Sequence, residues 1–176
     1  MARWYFVLAS LLLSICISGY SDGIDTFLEH FTSGNVHTLL FRNPLDFIEM
    51  TGEEPAKYDY YSGKQYIFTY VSKPESSSPV QAISIIWSIP YIEEIRLSFA
   101  NPVTIDEILQ LLGYTEAFFD TQTNSTIRLG YVPYRVREYT AKNAARGYFG
   151  LLRDVIFLFV LNHFDDAVHM LIIQHK

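Results

Sequence analysis

"DVIFLFVLNHFDDAVHMLIIQHK", residues 154–176, is the stretch whose reading decides the architecture. Two apolar runs, 154–164 and 167–176, flank Asp165-Asp166 and read as a terminal β-hairpin. Neither run alternates polar with apolar residues. A strand that is apolar on both faces belongs at the centre of a sheet covered by helices. Neither run reads as a membrane span. The most apolar piece, VIFLFVL at 155–161, falls far short of about 20 residues and is flanked by Asp154, Asp165 and Asp166.

The rest of the chain supplies partners for this hairpin. QYIFTYVS (65–72), VQAISIIWSI (80–89) and YIEEIRLSFA (91–100) are rich in β-branched and aromatic residues and read as strands. KPESSSP (73–79) is the polar loop between the first two, and Pro90 separates the last two. Ile92, Ile95, Leu97 and Phe99 keep no single period, which a bulge near Glu93-Glu94 would reconcile. TIRLGYV (126–132) and YRVREYT (134–140) read as strands about Pro133, after a loop that runs through Asn124. EEPAKYDYYSGK (53–64) reads as a loop with a turn at Ser62-Gly63, and AKNAARGYFG (141–150) as a short polar helix.

Three helices are expected against the sheet. Ile24, Phe27, Leu28 and Phe31 recur at i, i+3, i+4 and i+7. Leu45–Met50 follows Asn43-Pro44 and stops at Thr51-Gly52. Thr104-Ile105-Asp106-Glu107 is a capping box, Ile105, Ile108, Leu109 and Leu112 form one face, and Gly113 ends the helix. Asn101-Pro102 ahead of it reads as the end of the sheet. The expected fold is α+β: a mainly antiparallel sheet of about six strands packed by two or three short helices.

The chain has 176 residues, 49% of them apolar, 16% aromatic and 18% charged, enough for one packed domain over 22–176. Its net charge of −6 argues against nucleic acid as a partner. A single cysteine, Cys16, rules out an internal disulfide. Residues 1–21 have the layout of an export signal or an N-terminal membrane anchor: Met1-Ala2-Arg3 is short and positive, Trp4–Ile17 is an uncharged apolar run, and Gly19-Tyr20-Ser21 offers small side chains for cleavage before Asp22. Cys16 is a poor lipidation site because Ile15 precedes it where a small residue is required. The expected location is outside the cytoplasm, secreted or held on the outer face of a membrane.

The chain also repeats a pattern. Asn43-Pro44 leads to Gly52, and Asn101-Pro102 leads to Gly113. From each glycine the same distance reaches Tyr-Val, at Tyr70-Val71 and at Tyr131-Val132. Two α-β-β-β units, 22–100 and 101–176, are therefore a candidate duplication. An exported chain with short helices, the segment Ile105-x-x-Ile108-Leu109-x-x-Leu112-Gly113 and antiparallel strands after it resembles the SmpA/OmlA (BamE)-like small envelope domain. Two such units in tandem resemble the β-lactamase-inhibitor-protein architecture. The resemblance implies a non-enzymatic role in the envelope or in protein binding.

Candidate functional residues fall into three groups. Tyr58, Tyr60, Tyr61, Tyr66 and Tyr70 crowd one loop and strand, and tyrosine's rigid face and polar tip suit protein or sugar contacts. Residues 22–59 hold eight acids and two bases, whereas 128–153 hold Arg128, Arg135, Arg137, Lys142, Arg146 and Arg153 against Glu138. Arg135, Arg137 and Tyr139 would share a strand face able to meet an acidic partner or an anionic membrane surface. His163, His169 and His175 are spaced along the terminal hairpin: a two-residue turn would put His163 and His169 on opposite faces, a three-residue turn would set them opposite each other with Asp165 as a further ligand, and since a site needs three or four convergent ligands no metal is expected. Asn124-Ser125-Thr126 is a glycosylation sequon that matters only in a eukaryotic host.

No nucleophile elbow, phosphate-binding glycine loop or zinc-protease motif is present. No catalytic residue, cofactor or metal is therefore assigned. The sequence points to a non-catalytic exported binding or assembly protein. A small-ligand carrier or sensor with an aromatic pocket stands second. An uncharacterised hydrolase using His163 or His169 with Asp165 or Asp166 stands third.

Overall fold

The computed structural model describes residues 23–61, 65–142, 145–146, 152–162 and 164–176. The export-signal layout of 1–21, Cys16, the turn at Ser62-Gly63 and His163 lie outside them, as do the side chains of Tyr61 and Arg146.

In chain order the elements are α1 (Gly23–Phe31), a 3-10 turn (Val36–Leu39), α2 (Pro44–Thr51), β1 (Lys57–Tyr61), β2 (Gln65–Val71), β3 (Val80–Ser88) and β4 (Tyr91–Val103). Then follow α3 (Ile105–Leu111), a second 3-10 turn (Glu116–Phe118), β5 (Phe119–Leu129), β6 (Val132–Ala141), β7 (Ala145–Arg146), β8 (Leu152–Arg153), β9 (Val155–Leu161) and β10 (Val168–His175). β7 and β8 pair with each other. The other eight strands form one sheet in the order β1-β2-β3-β4-β10-β9-β6-β5, antiparallel throughout.

The terminal hairpin does occupy the middle of this sheet. Every residue of β9 is buried, as its two apolar faces require. Val155, Phe157, Phe159 and Leu161 join the larger core with Ile24, Phe27, Phe47, Ile105 and Ile108 of the three helices. Ile156, Leu158 and Val160 face the other way, into a smaller cluster with Val136 and Ile172. Among the described residues the helices cover only the first of these faces.

Local chemistry sets the helix ends. The Thr104 hydroxyl accepts from Glu107 N at 3.3 Å, while Glu107 Oε2 accepts from Thr104 N at 2.8 Å. The Thr104 amide and the Thr104 hydroxyl, both donating to Glu107 Oε2, hold the Glu107 carboxyl below its usual range. Asn43 Oδ1 accepts from Leu45 N at 3.0 Å to start α2, and Gly52 ends it at φ +68°. Gly113, at φ +70°, ends the α3 turn directly against residues 32–34, where the Gly34 amide donates to Leu112 O at 2.8 Å. The bulge expected near Glu93 is present: Ile86 pairs with Glu94 and Trp87 with Ile92, which leaves Glu93 without a place in the register.

Several expectations are corrected. The main sheet has eight strands rather than about six. Residues 57–61 form β1 rather than a loop, because backbone pairing to β2 recruits a tyrosine-rich segment with no apolar alternation. Asn101-Pro102 does not end the sheet, since β4 runs on until Val103 pairs with Val168. The loop expected through Asn124 is instead the middle of β5. Residues 145–146, placed in a short helix from sequence, form β7. The terminal turn is longer than two residues: Val168 pairs with Leu161, and His169 is bulged out of register. Tyr70 lies inside β2, while Tyr131 lies in the β5–β6 turn, so the equal Tyr-Val spacing does not mark equivalent positions.

Candidate functional site

Two exposed tyrosines, Tyr58 and Tyr60, lie at the β1 end of the sheet, while Tyr131 and Phe164 stand singly in the β5–β6 and β9–β10 turns. Tyr58 pairs with Phe68, Tyr60 with Tyr66, and Tyr66 with Trp87, so their side chains share one face. Tyr66 stacks on Trp87 with ring centroids 4.6 Å apart. Tyr60 packs edge-on against Tyr66 at 5.3 Å, Tyr58 against Phe68 at 5.1 Å, and Phe68 against Trp87 at 5.3 Å. This is the same face that buries Tyr70 against Phe47 beneath the helices. The core face thus continues as a ladder of rings past the point where helices cover it. Tyr58 and Tyr60 at its rim are 55% and 66% exposed. The Tyr58 hydroxyl donates to the Glu54 carboxylate. Partial burial, with Glu54 adding, raises the Tyr58 phenol to about 12. The Trp87 indole N–H is buried with no acceptor among the described residues.

The arginines form a second group at the opposite end. Arg135 Nη2 lies 2.8 Å from Asp166 Oδ1, and Arg137 Nη2 lies 3.3 Å from Asp166 Oδ2. One carboxylate from the terminal turn therefore bridges two guanidinium groups and leaves a net positive charge. These groups and Asn124 line an open groove of about 400 Å³. Tyr139 follows Arg137 on the same face but is only 5% exposed, packed between Phe119 and Phe159. It belongs to the core, and burial raises its phenol pKa.

Sequence reasoning missed Trp87 and Asp166. Trp87 sits in a strand otherwise rich in isoleucine, which read as a strand with no functional residue. Asp166 read as a turn residue and as a possible partner of His163 or His169, never of the arginines, which lie 31 and 29 residues away.

Among the described residues no cluster of three or more His, Cys, Asp or Glu could hold a metal ion. His169 is exposed at its bulge, and Asp165 caps its own turn by accepting from Ala167 N at 2.9 Å. His37 is half-buried beside Tyr114. Its backbone N–H donates to the Tyr114 hydroxyl at 3.2 Å, and its Nδ1 lies 2.7 Å from that oxygen. The Tyr114 hydroxyl and His37 Nδ1 share one hydrogen bond whose donor is set by the imidazole tautomer. Burial lowers the His37 pKa.

Two further grooves open at the surface. One of about 860 Å³ runs between α1 and the β2–β3 loop, lined by Asp25, Glu29, Lys73 and Glu75. One of about 480 Å³ lies beside Pro79, Pro102, Val103 and Leu111. Among the described residues no helix is long and apolar enough to cross a membrane.

No protein-family model matches the chain, and no curated protein matches it. Among solved structures it is similar to an extracellular protein containing a SCP domain from Bacillus anthracis str. Ames, at 8% identity and a TM-score of 0.44. The match covers 81% of this chain and 46% of that one, so the chain spans less than half of its neighbour's length. A likeness at that score carries no functional statement.

Proposed function

We propose that this chain is a non-catalytic binding or assembly protein that works outside the cytoplasm, secreted or held on the outer face of a membrane. One observation carries the binding role: the ring ladder Tyr58, Tyr60, Tyr66 and Trp87 continues the core face into solvent. Contiguous exposed aromatic surface of this kind is characteristic of interaction sites. Its rings are held by their neighbours, so binding orders few side chains. The Arg135–Asp166–Arg137 group offers a second contact, to an acidic protein segment or an anionic membrane surface. The location rests on the layout of residues 1–21.

The small-ligand reading is weaker. Phe27, Phe47, Tyr70 and Phe157 fill the space between helices and sheet, where an aromatic pocket would have to lie. The hydrolase reading has an exposed His169 and a turn-capping Asp165 to draw on, and nothing brings them together over a substrate.

The duplication reading keeps support in a coarser form. Setting the β7–β8 pair aside, a helix followed by four strands occurs twice, and the two meanders meet at β4 and β10. That arrangement, with the α3–Gly113 segment, is what favours the likeness to tandem SmpA/OmlA-like units.

A photo-crosslinking amino acid at position 60, introduced in the native host, tests the binding role. A discrete covalent adduct that is absent when the probe sits at exposed Glu49 is expected. Identical adduct patterns at both positions would remove the aromatic ladder from the proposal.

A further inference from the structure

The strand at the other end of the sheet is long, and its outer edge is open among the described residues. β5 runs from Phe119 to Leu129, and among the described residues it pairs only with β6. All of its side chains beyond Phe119 are exposed or half-buried. Such an edge is a template for a further strand unless charge, proline or distortion blunts it. β5 has no proline, and its one distortion is the bulge between Phe119 and Thr121. Residues 121–127, Thr-Gln-Thr-Asn-Ser-Thr-Ile, carry no charge.

The two charges of β5 are Asp120 and Arg128, and they lie symmetrically about Asn124. We propose that β5 is a self-pairing edge: two copies of the chain join antiparallel about a two-fold axis at Asn124. This register carries Asp120 of each copy, the residue bulged between Phe119 and Thr121, beside Arg128 of the other, so one contact of opposite charges closes each end of a neutral seven-residue ladder. It also sets Thr123 opposite Ser125, whose hydroxyl oxygen is buried without a hydrogen-bond partner among the described residues. A parallel, in-register pairing would instead align Asp120 with Asp120 and Arg128 with Arg128. The opposite edge lacks this complementarity. Pairing β1 with itself about its central residue would put Asp59 against Asp59. The occupant is thus a second copy of this chain, and the β5 contact is isologous.

The same dyad fixes the place of Asn124. Residues directly opposite in an antiparallel pair point to the same side, about 4.5–5.5 Å apart at Cα. Two Asn124 side chains would sit together on the axis, where an attached glycan would leave no room for a second copy.

Charge exchange tests the register. The protein is purified from its host with Cys16→Ser, and its mass is followed by analytical ultracentrifugation across concentration, with circular dichroism to check folding. Asp120→Arg alone and Arg128→Asp alone each set like charges opposite one another twice, and each should weaken association about ten-fold or more. Asp120→Arg combined with Arg128→Asp restores opposite charges and should recover it. In parallel, Asn124→Cys should form an intermolecular disulfide under mild oxidation, whereas Gln122→Cys, which this register sets opposite Thr126, should not. A protein that stays monomeric at about 100 μM overturns the proposal. So does a dimer unaffected by either single exchange, or one in which both cysteine variants cross-link equally.

Discussion

Replacing Gly113 with alanine perturbs the junction that seats α3 on the N-terminal helical segment. At φ +70° the backbone is in the left-handed region, where a side chain costs about 1–2 kcal/mol. Space adds to the conformational cost here. A Cβ built at Gly113 would stand 1.8 Å from Thr32 O, 2.6 Å from Thr32 C and 2.8 Å from Gly34 N. All three neighbours are backbone, so no rotamer change relieves the overlap. The 32–34 and 112–114 turns must separate. That breaks the 2.8 Å bond from Gly34 N to Leu112 O, worth about 1 kcal/mol, and disturbs the Tyr114–His37 contact. With about 1–2 kcal/mol for repacking around Leu112 and Tyr114, the total is about 3–5 kcal/mol. Gly52 is the internal control. Its φ of +68° is nearly the same, but nothing lies within 4 Å of its would-be Cβ. Gly52→Ala should therefore cost only about 1–2 kcal/mol. Urea unfolding followed by tryptophan fluorescence measures both variants on one scale. If the two differ by less than about 0.5 kcal/mol, the close approach of the two turns is wrong.

Other outcomes follow from the same contacts. Thr104→Ala removes the hydroxyl that accepts from Glu107 N and should cost about 1 kcal/mol in urea unfolding. The Glu107 carboxyl, held low by its capping bonds, contributes stability above its unfolded pKa of about 4.5, and that part is lost as pH falls through the lower folded value. His37, lowered by burial, also favours the folded state when neutral. Stability should decline as pH drops below about 6.5 towards the folded pKa, and His37→Gln should flatten that slope. Asp166→Ala frees Arg135 and Arg137 at an exposed site, so stability should change by less than about 1 kcal/mol while binding to anionic vesicles increases. An unchanged vesicle affinity would remove the arginine pair as a contact for anionic surfaces.

What the sequence revealed depended on whether the signal was local. The capping box at Thr104 and the left-handed Gly113 are short-range features, and α3 forms where they place it. The double-sided apolar run of β9 needed no partner to be recognised as central, because such a strand is stable only when covered. The bulge at Glu93 was legible because one extra residue shifts the alternation of isoleucines. The edge strands were not legible. β1 and the first half of β5 bury almost nothing, so their tyrosines, threonines and asparagine show no period that marks a strand. Only pairing to β2 and β6 defines them. The tyrosine cluster was visible as composition, but its division into a buried Tyr70 and exposed Tyr58 and Tyr60 depends on where α2 ends over the sheet. Arg135 and Arg137 could be placed on one strand face, whereas Asp166 could not be joined to them, because strand order brings the terminal turn beside β6.

Location and binding are separable, and the binding surface is the more exposed to refutation. The most direct measurement compares captures from an extract of the protein's own host by wild-type chain and by Tyr58→Ala combined with Tyr60→Ala. Both substituted side chains are exposed, so the variant should keep its fold. The expected result is that a partner retained by wild type is lost by the double variant. Capture of the same partners, in the same amounts, by a folded double variant would contradict the assignment of the aromatic ladder as the binding surface.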